Sequence, residues 1–176
     1  MIVLPILTER LMIRPFIPED LPAYLEFMLD AESTQYLAFE ESQKTQEGAT
    51  ELFNFVLSSY NTDSVIHAYA IALKKSNQYI GSCGFSPYEN RIFECYYTIH
   101  SQYQRQGYGF EAMKALLTAL KSSDDITEIR AYSSSENLPS LKLAEKLGME
   151  YQGEAIHAHS GLKGLLYTIE IEHSEL

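Results

Sequence analysis

Basic residues are scarce in this chain of 176 residues, which has 13 Lys and Arg against 24 Asp and Glu, a formal net charge of −11. Proteins that bind nucleic acids need clustered cations to contact the phosphates, so this balance argues against a nucleic-acid partner, and none is expected. An acidic surface suits a cationic partner, but it also serves solubility alone. The charge therefore limits the class of partner without identifying one.

Cysteine is also scarce. Cys83 and Cys95 lie in segments with the pattern of strands, and no Cys-x-x-Cys or Cys/His spacing is present. We interpret both as small core residues in a reducing compartment. His157 and His159 could share one face of a strand, but no third or fourth ligand stands at a suitable spacing. They are predicted to be surface residues, and no metal site is expected.

Long apolar runs are missing as well. The N-terminal stretch MIVLPILTER has a short apolar run with no basic residue before it, which fits neither a signal peptide nor a membrane span. We therefore expect a cytoplasmic protein with no membrane partner. Hydrophobic residues make up 45% of the chain, enough for a core, and the length predicts a single domain over residues 1–176.

The spacing of apolar residues predicts about seven strands, with helices between them. The predicted strands are 7–16, 67–75, 78–86, 91–100, 127–134, 151–158 and 165–172. The predicted helices are 18–30, 45–60, about 107–121 and 140–148. In the resulting order, β-α-α-β-β-β-α-β-α-β-β, an antiparallel meander precedes β-α-β units. This order predicts an α/β fold with a central mixed, mostly antiparallel sheet and helices on both faces.

Two glycines and an arginine precede the third predicted helix, in the stretch QYQRQGYGFEAM at 102–113. The first N–H groups of a helix have no partner within it, and the helix dipole places partial positive charge there. Glycine lets a phosphate approach the backbone closely, and Arg105 adds a formal charge. The start of this helix therefore predicts a phosphate or diphosphate site, the alternative being a helix start without a ligand.

Two known fingerprints match this stretch. Residues 107–112 satisfy G-x-G-x-x-G/A, the dinucleotide signature, and residues 104–109 satisfy Q/R-x-x-G-x-G/A, the acetyl-CoA loop of the GNAT N-acetyltransferases. A dinucleotide fold places its first glycine directly after a strand and an acid at the end of the next strand. Here SQYQRQ intervenes, and the next strand ends in YSSS. We therefore discard the dinucleotide interpretation, and the absence of G-K-[ST] excludes a P-loop.

Three stretches in the correct order resemble the GNAT family, and within it the RimJ/RimL-like branch of ribosomal-protein N-terminal acetyltransferases. They are LTERLMIRPFIPED at 7–20, ECYYTIHSQYQRQGYGFEA at 94–112 and ENLPSLKLAEKLGMEYQGE at 136–154, the last with Met149 in place of an aromatic residue. The resemblance implies a GNAT fold and an acetyl-CoA-dependent N-acetyltransferase. Its acceptor would be a primary amine: a protein N-terminus, a small cationic amine or an antibiotic amine.

The resemblance also implies a cofactor site between two splayed strands. The pantetheine arm would lie between Ala131–Ser133 on one strand and Tyr97, Thr98 and Ile99 on the other, with an N–H near Ile99 facing the thioester carbonyl. The residues implied around the diphosphate are Arg105, Gln106, Gly107, Tyr108 and Gly109. Asn137 would contact the arm near its sulfur. Ordinary sheet pairing, and helix capping by Asn137, are the alternatives.

For the chemistry, the resemblance implies Glu94 as the general base that deprotonates the amine. Many relatives place a tyrosine seven residues after the asparagine, but this chain has Ala144 there. Ser140 is then the candidate that protonates the leaving thiolate, and His100 is interpreted as a strand-end residue. A solvated carboxylate and a first-turn serine are the structural alternatives. A non-catalytic acyl-CoA-binding protein is the alternative function, and the sequence leaves open whether the protein forms a homodimer.

Overall fold

The computed structural model of the chain describes residues 2–123 and 125–171, and the strands in these residues form one sheet in the order β1-β2-β3-β4-β5-β6-β8-β7. The strands are β1 (Ile6–Leu7), β2 (Leu11–Arg14), β3 (Ala68–Leu73), β4 (Tyr79–Glu89), β5 (Ile92–Ile99), β6 (Glu128–Ser133), β7 (Glu150–Ile156) and β8 (Lys163–Glu170). The helices are α1 (Leu21–Leu29), α2 (Ala31–Thr34), α3 (Gln46–Ser59), α4 (Tyr108–Lys121) and α5 (Leu138–Lys146). Among the described residues, no helix has both the length and the apolar composition needed to cross a bilayer.

The predicted mixed, mostly antiparallel sheet is confirmed, since β5 and β6 form a parallel pair and the other neighbouring strands pair in antiparallel fashion. Two details of the prediction were wrong. The first predicted strand divides into a hairpin of β1 and β2, closed by a hydrogen bond from the Thr8 N–H to the Leu11 carbonyl. A short helix, α2, follows α1 because the Asp30 carboxylate accepts the N–H groups of Glu32 and Ser33. Glu172, the last residue of the final predicted strand, lies outside the described residues.

Helices cover both faces of the sheet, as predicted. Side chains alternate between the faces of a strand, so Ile71 of β3 packs toward α4, while Ala70 packs toward α1 and α3. The apolar stripe of α4 is buried against the first face. Burying one such large apolar side chain stabilises the fold by roughly 1.5–3 kcal/mol, so this stripe fixes the position of α4.

The N-terminus of α4 is also tied to the β1–β2 hairpin through Glu111. Its carboxylate accepts hydrogen bonds from the Thr8 hydroxyl at 2.6 Å, the Arg10 N–H at 2.8 Å and the Arg10 Nε at 2.7 Å. Partial burial alone would raise the pKa of Glu111, but these hydrogen bonds and the Arg10 charge together lower it. The carboxylate therefore stays charged at neutral pH and holds the preceding loop against the hairpin.

Strands β5 and β6 separate after a short stretch of pairing. Residues Ile92–Glu94 pair with Glu128–Arg130, and the register ends there. Beyond this point β5 continues to Ile99 paired with β4, and β6 continues to Ser133 paired with β8. The splayed strands expected from the resemblance are thus present, and the sheet has a V-shaped opening with Glu94 at its apex.

Candidate active site

The opening between β5 and β6 leads into a cavity that brings together residues from β5, β6 and α5. Its wall includes Glu94, Tyr97, Ala131, Tyr132, Ser133, Asn137 and Ser140. Both candidate catalytic residues, Glu94 and Ser140, therefore line one cavity. The wall does not include Thr98, Ile99 or the loop at 105–109. Thr98 and Ile99 end β5, and the loop connects this end of the strand to α4.

The loop before α4 presents a run of backbone donors. Gly107 is the N-cap and has φ 82°, in the left-handed region that glycine adopts without strain, and Arg105 has φ 60°. Within the described residues, no acceptor receives a hydrogen bond from the backbone N–H groups of residues 105–110. Six donors at the positive end of a helix dipole suit a diphosphate, so the residues fit that group.

Arg10 adds a second cation to this loop. The sequence did not predict that it contacts the loop. Its guanidinium lies 4.4 Å from the centre of the Tyr108 ring, and its Nη1 donates to the Gln106 carbonyl at 3.0 Å. Arg10 lies in the stretch that carried the family resemblance, but its contact with the loop spans about a hundred residues of sequence. No local pattern in the sequence indicates this contact.

Gly109 has a packing role in addition to its predicted role in the loop. A Cβ at this position would lie 2.9 Å from Cε2 of Tyr97 and 3.3 Å from Cδ1 of Leu143. Glycine therefore lets Tyr97 pack against the first turn of α4. A larger residue at Gly109 would displace Tyr97 and disturb the cavity, in addition to any effect on the loop.

Tyr97 of β5 and Ser140 of α5 line the same cavity. Burial raises the pKa of Tyr97, and the polar side chain of Ser140 lowers it in part. The phenol is therefore protonated at neutral pH. Asn137 caps α5 by accepting the Ser140 N–H on Oδ1 at 3.3 Å, which leaves its side-chain NH2 group as a donor. Ala144 is buried in the same wall.

Glu94 is paired with His157, and the prediction that His157 is a surface residue was therefore wrong. Nε2 of His157 lies 2.9 Å and 3.1 Å from the two carboxylate oxygens of Glu94. Both side chains are largely buried, 15% exposed for His157 and 25% for Glu94. His159 is exposed, and among the described residues no group of three His, Cys, Asp or Glu side chains could hold a metal.

Side chains on β5 alternate between the two faces of the sheet, and this separates the candidate groups. Phe93, Cys95 and Tyr97 pack toward α4, so Glu94 points to the opposite face. His100 lies beyond the far end of β5, six residues from Glu94 and about 20 Å away along an extended strand. The interpretation of His100 as a strand-end residue agrees with this position. His157 is the histidine that reaches Glu94.

Comparison with known sequences decides the family. The model of the Acetyltransferase (GNAT) domain matches residues 10–150, most of the chain. The protein belongs to the GNAT acetyltransferase family. This family uses acetyl-CoA. One similar curated relative is the uncharacterized N-acetyltransferase p20 of Bacillus licheniformis, 25% identical over 164 residues that cover 92% of this chain and 90% of p20.

Solved structures of GNAT proteins share the fold. A GNAT-family acetyltransferase from Bacillus anthracis is 25% identical, with a TM-score of 0.80 over 97% of this chain and 100% of that one. RimL, a ribosomal L7/L12 alpha-N-protein acetyltransferase solved in complex with coenzyme A, has a TM-score of 0.75 at 18% identity, covering 95% of this chain and 97% of RimL. The structural neighbours therefore include a member of the RimJ/RimL-like branch that the sequence resembles, and the agreement concerns the fold.

Proposed function

We propose that this GNAT acetyltransferase transfers the acetyl group of acetyl-CoA to a primary amine, either a protein N-terminus or a small cationic amine, by direct attack in a ternary complex. The observation that carries this proposal is the opening between β5 and β6. Backbone donors stand at its wide end, and Glu94 stands at its apex. The likeness to RimL, solved with coenzyme A, supports the choice of donor. We further propose that residues 1–176 form one domain, and the cytoplasmic location stays a prediction.

In this proposal the loop at 105–109 binds the diphosphate through its backbone N–H groups, with the Arg105 side chain adding charge. Tyr97–Ile99 and Ala131–Ser133 bind the pantetheine arm, because separated strands leave backbone groups that an amide-rich chain can satisfy. Asn137 donates its side-chain NH2 near the sulfur end. Acetyl-CoA supplies the thioester, and the remaining chemistry is assigned to side chains of this protein.

Glu94 acts as the general base. It accepts a proton from the acceptor ammonium, directly or through one water, so that the amine nitrogen can attack the thioester carbonyl. A C–N bond forms, the C–S bond breaks, and the nitrogen loses its second proton to water as the amide forms. Because Glu94 points to the face opposite α4, the acceptor approaches from that face, and the donor lies on the side of Tyr97 and α5.

The position of Glu94 changes which backbone N–H suits the oxyanion. Ile99, the residue favoured from the sequence, lies five residues from Glu94, about 17 Å along β5. Tyr97 lies three residues away, about 10 Å, a distance that a carboxylate, a water and an attacking amine can span together. We therefore assign the oxyanion donor to the Tyr97 N–H, and Ile99 to the pantetheine arm nearer the loop.

Ser140 donates a proton to the leaving thiolate and regains one from water, and Tyr97 supplies a second hydroxyl in the same cavity. Ser140→Ala is expected to lower kcat by less than about 10²-fold, because a thiolate is a tolerable leaving group without help. Tyr97→Phe should lower kcat by a smaller factor, since it removes only the second hydroxyl. Steady-state kinetics of both variants measure this. A double variant no slower than Ser140→Ala supports one shared route, whereas independent losses contradict it.

The acidic surface predicts how salt affects the acceptor. The acidic segment around Glu40 and Glu41 forms a turn before α3, and Glu41 is paired with Lys44 at 3.0 Å. Any attraction of a cationic acceptor therefore comes mainly from the net charge of −11. Raising salt from about 0.05 to 0.5 M should raise the acceptor KM a few-fold, more than the acetyl-CoA KM, because salt screens exposed charges. A salt-insensitive acceptor KM would contradict steering by this surface.

A panel of amines tests the proposed function. The panel holds peptides with free N-termini, the same peptides with blocked N-termini, and small di- and polyamines, each with acetyl-CoA and a reagent that detects free CoA thiol. Turnover with any free amine, and none with its blocked form, supports transfer to an amine. Tight acetyl-CoA binding with no thiol release across the panel would favour the non-catalytic binding protein.

A further inference from the structure

His157 lies on the connection between β7 and β8 and makes contacts through both ring nitrogens. Nδ1 accepts a hydrogen bond from the Ser160 N–H at 3.0 Å and lies 2.9 Å from the Ser160 hydroxyl. Nε2 faces both carboxylate oxygens of Glu94, at 2.9 and 3.1 Å. The ring thus links the Glu94 side chain to the backbone of a loop 63 residues away.

These contacts fix which nitrogen carries the proton. A backbone N–H can only donate, so Nδ1 must be the acceptor while the Ser160 contact holds. In the neutral ring the proton is then on Nε2, which donates to Glu94. His157 therefore presents a donor to Glu94 and has no free lone pair with which to take a proton from the acceptor amine.

The surrounding side chains hold the ring in this orientation. The Tyr132 ring lies edge-on to His157 at 5.4 Å, and the single O–H of Tyr132 is shared between the carbonyls of Ala155 and Leu162 on either side of the loop. Tyr88 lies edge-on at 6.1 Å and is itself covered by the Arg130 guanidinium at 4.3 Å. These contacts pack both the loop and the ring against the apex of the opening.

We infer that His157 is a positioning residue for Glu94: its Nε2–H holds the carboxylate in the orientation from which Glu94 takes the proton of the acceptor amine. The inference rests on the proposed function. In this scheme Glu94 gains one proton from the ammonium, and His157 keeps its own Nε2 proton throughout. The lone pairs of the carboxylate that do not face His157 remain for the amine.

Two substitutions of His157 each remove one of its two contacts, the donor to Glu94 or the acceptor for Ser160. His157→Asn places an amide oxygen where Nδ1 stood, so it keeps an acceptor for Ser160 and loses the donor to Glu94. His157→Gln reaches the position of Nε2 with an amide N–H2, so it keeps a donor to Glu94 and loses the Ser160 acceptor. We expect His157→Asn to lower kcat about ten- to hundredfold at unchanged acetyl-CoA affinity. His157→Gln should restore most of that loss.

The dependence on Glu94 is measured in the Glu94→Gln background. There, His157→Asn should have little further effect on kcat, because the carboxylate it positions is gone. An equal loss in both backgrounds, or no loss from His157→Asn in the native background, would overturn the inference. A structural defect at this loop would lower kcat in both backgrounds and is therefore counted against it.

A second measurement does not depend on turnover. Nitrogen-15 NMR of the imidazole in the resting full-length chain should show the His157 tautomer with the proton on Nε2. A dominant Nδ1-protonated tautomer would overturn the inference even if the enzyme is active. If no amine is acetylated by the native protein but the Nε2–H tautomer is present, the proposed function fails and the Glu94–His157 contact stands.

Discussion

Glu94→Gln is expected to lower kcat by about 10²–10⁴-fold, the usual contribution of a general base. The substitution keeps the shape of the side chain and an acceptor for the Nε2–H of His157, and it removes the group that takes the proton. The affinity for acetyl-CoA, measured by calorimetry, should barely change, because the loop at 105–109 lies far along β5 from Glu94. The loss should shrink as pH rises, since more of the acceptor amine is then already neutral.

Glu150→Gln is the matched control, because it removes one carboxylate from the exposed strand β7 with the same change in charge. Its kcat should equal that of the native enzyme. A Glu94→Gln enzyme with native kcat and a native pH profile would show that the base lies elsewhere. Such a result would also remove the reason for the assignment of Tyr97 as the oxyanion donor.

Arg105→Asp is expected to weaken acetyl-CoA binding by roughly tenfold to several-hundredfold. Two unit charges about 4 Å apart interact by about 1 kcal/mol in water and about 4 kcal/mol near a protein surface, and the variant turns attraction of the diphosphate into repulsion. Asp and Asn both tolerate the left-handed backbone of residue 105, where φ is 60°. Arg105→Asn is therefore the control that differs from Arg105→Asp only in charge.

Calorimetry with two ligands isolates the diphosphate contribution. Arg105→Asp should bind acetyl-CoA more weakly than Arg105→Asn, and the difference should decrease in high salt. S-acetylpantetheine, which has no diphosphate, should bind both variants alike. An equal affinity of the two variants for acetyl-CoA would contradict the assignment of the loop. This pair is cleaner than a substitution of Gly109, whose Cβ would push against Tyr97.

Most of the helices and strands were predictable from local patterns in the sequence. The loop before α4 was predictable because the helix stripe, the glycines and the arginine are consecutive in the chain. The hairpin of β1 and β2 was not predicted, because its turn, Thr8–Arg10, contains none of the Gly, Pro, Asn, Asp or Ser residues that usually mark a turn. Glycine is generally unfavourable inside a helix, but at Gly48 of α3 a Cβ would lie 2.0 Å from the Ser42 carbonyl oxygen, so the close approach of the preceding turn requires glycine.

The site was less predictable, because its key contacts join residues that are distant in the sequence. Glu94 and Ser140 were proposed from motifs. Their neighbours Tyr97 and His157 depend on the register of β5 and on the loop between β7 and β8. The His157–Glu94 contact spans 63 residues. In the sequence, His157 was considered only as a metal ligand. Its partner in the structure is a single carboxylate, that of Glu94, which no ligand spacing predicts.

The placement of acetyl-CoA in the opening between β5 and β6 is tested most directly by amide chemical shifts in a protein-wide nitrogen-15 NMR titration. On addition of acetyl-CoA, the amides of residues 105–110 should shift as they gain phosphate acceptors, together with those of Tyr97 and Ala131–Ser133. With S-acetylpantetheine, the strand amides should shift and those of residues 105–110 should stay in place. Saturation with acetyl-CoA without shifts at residues 105–110 would contradict the account.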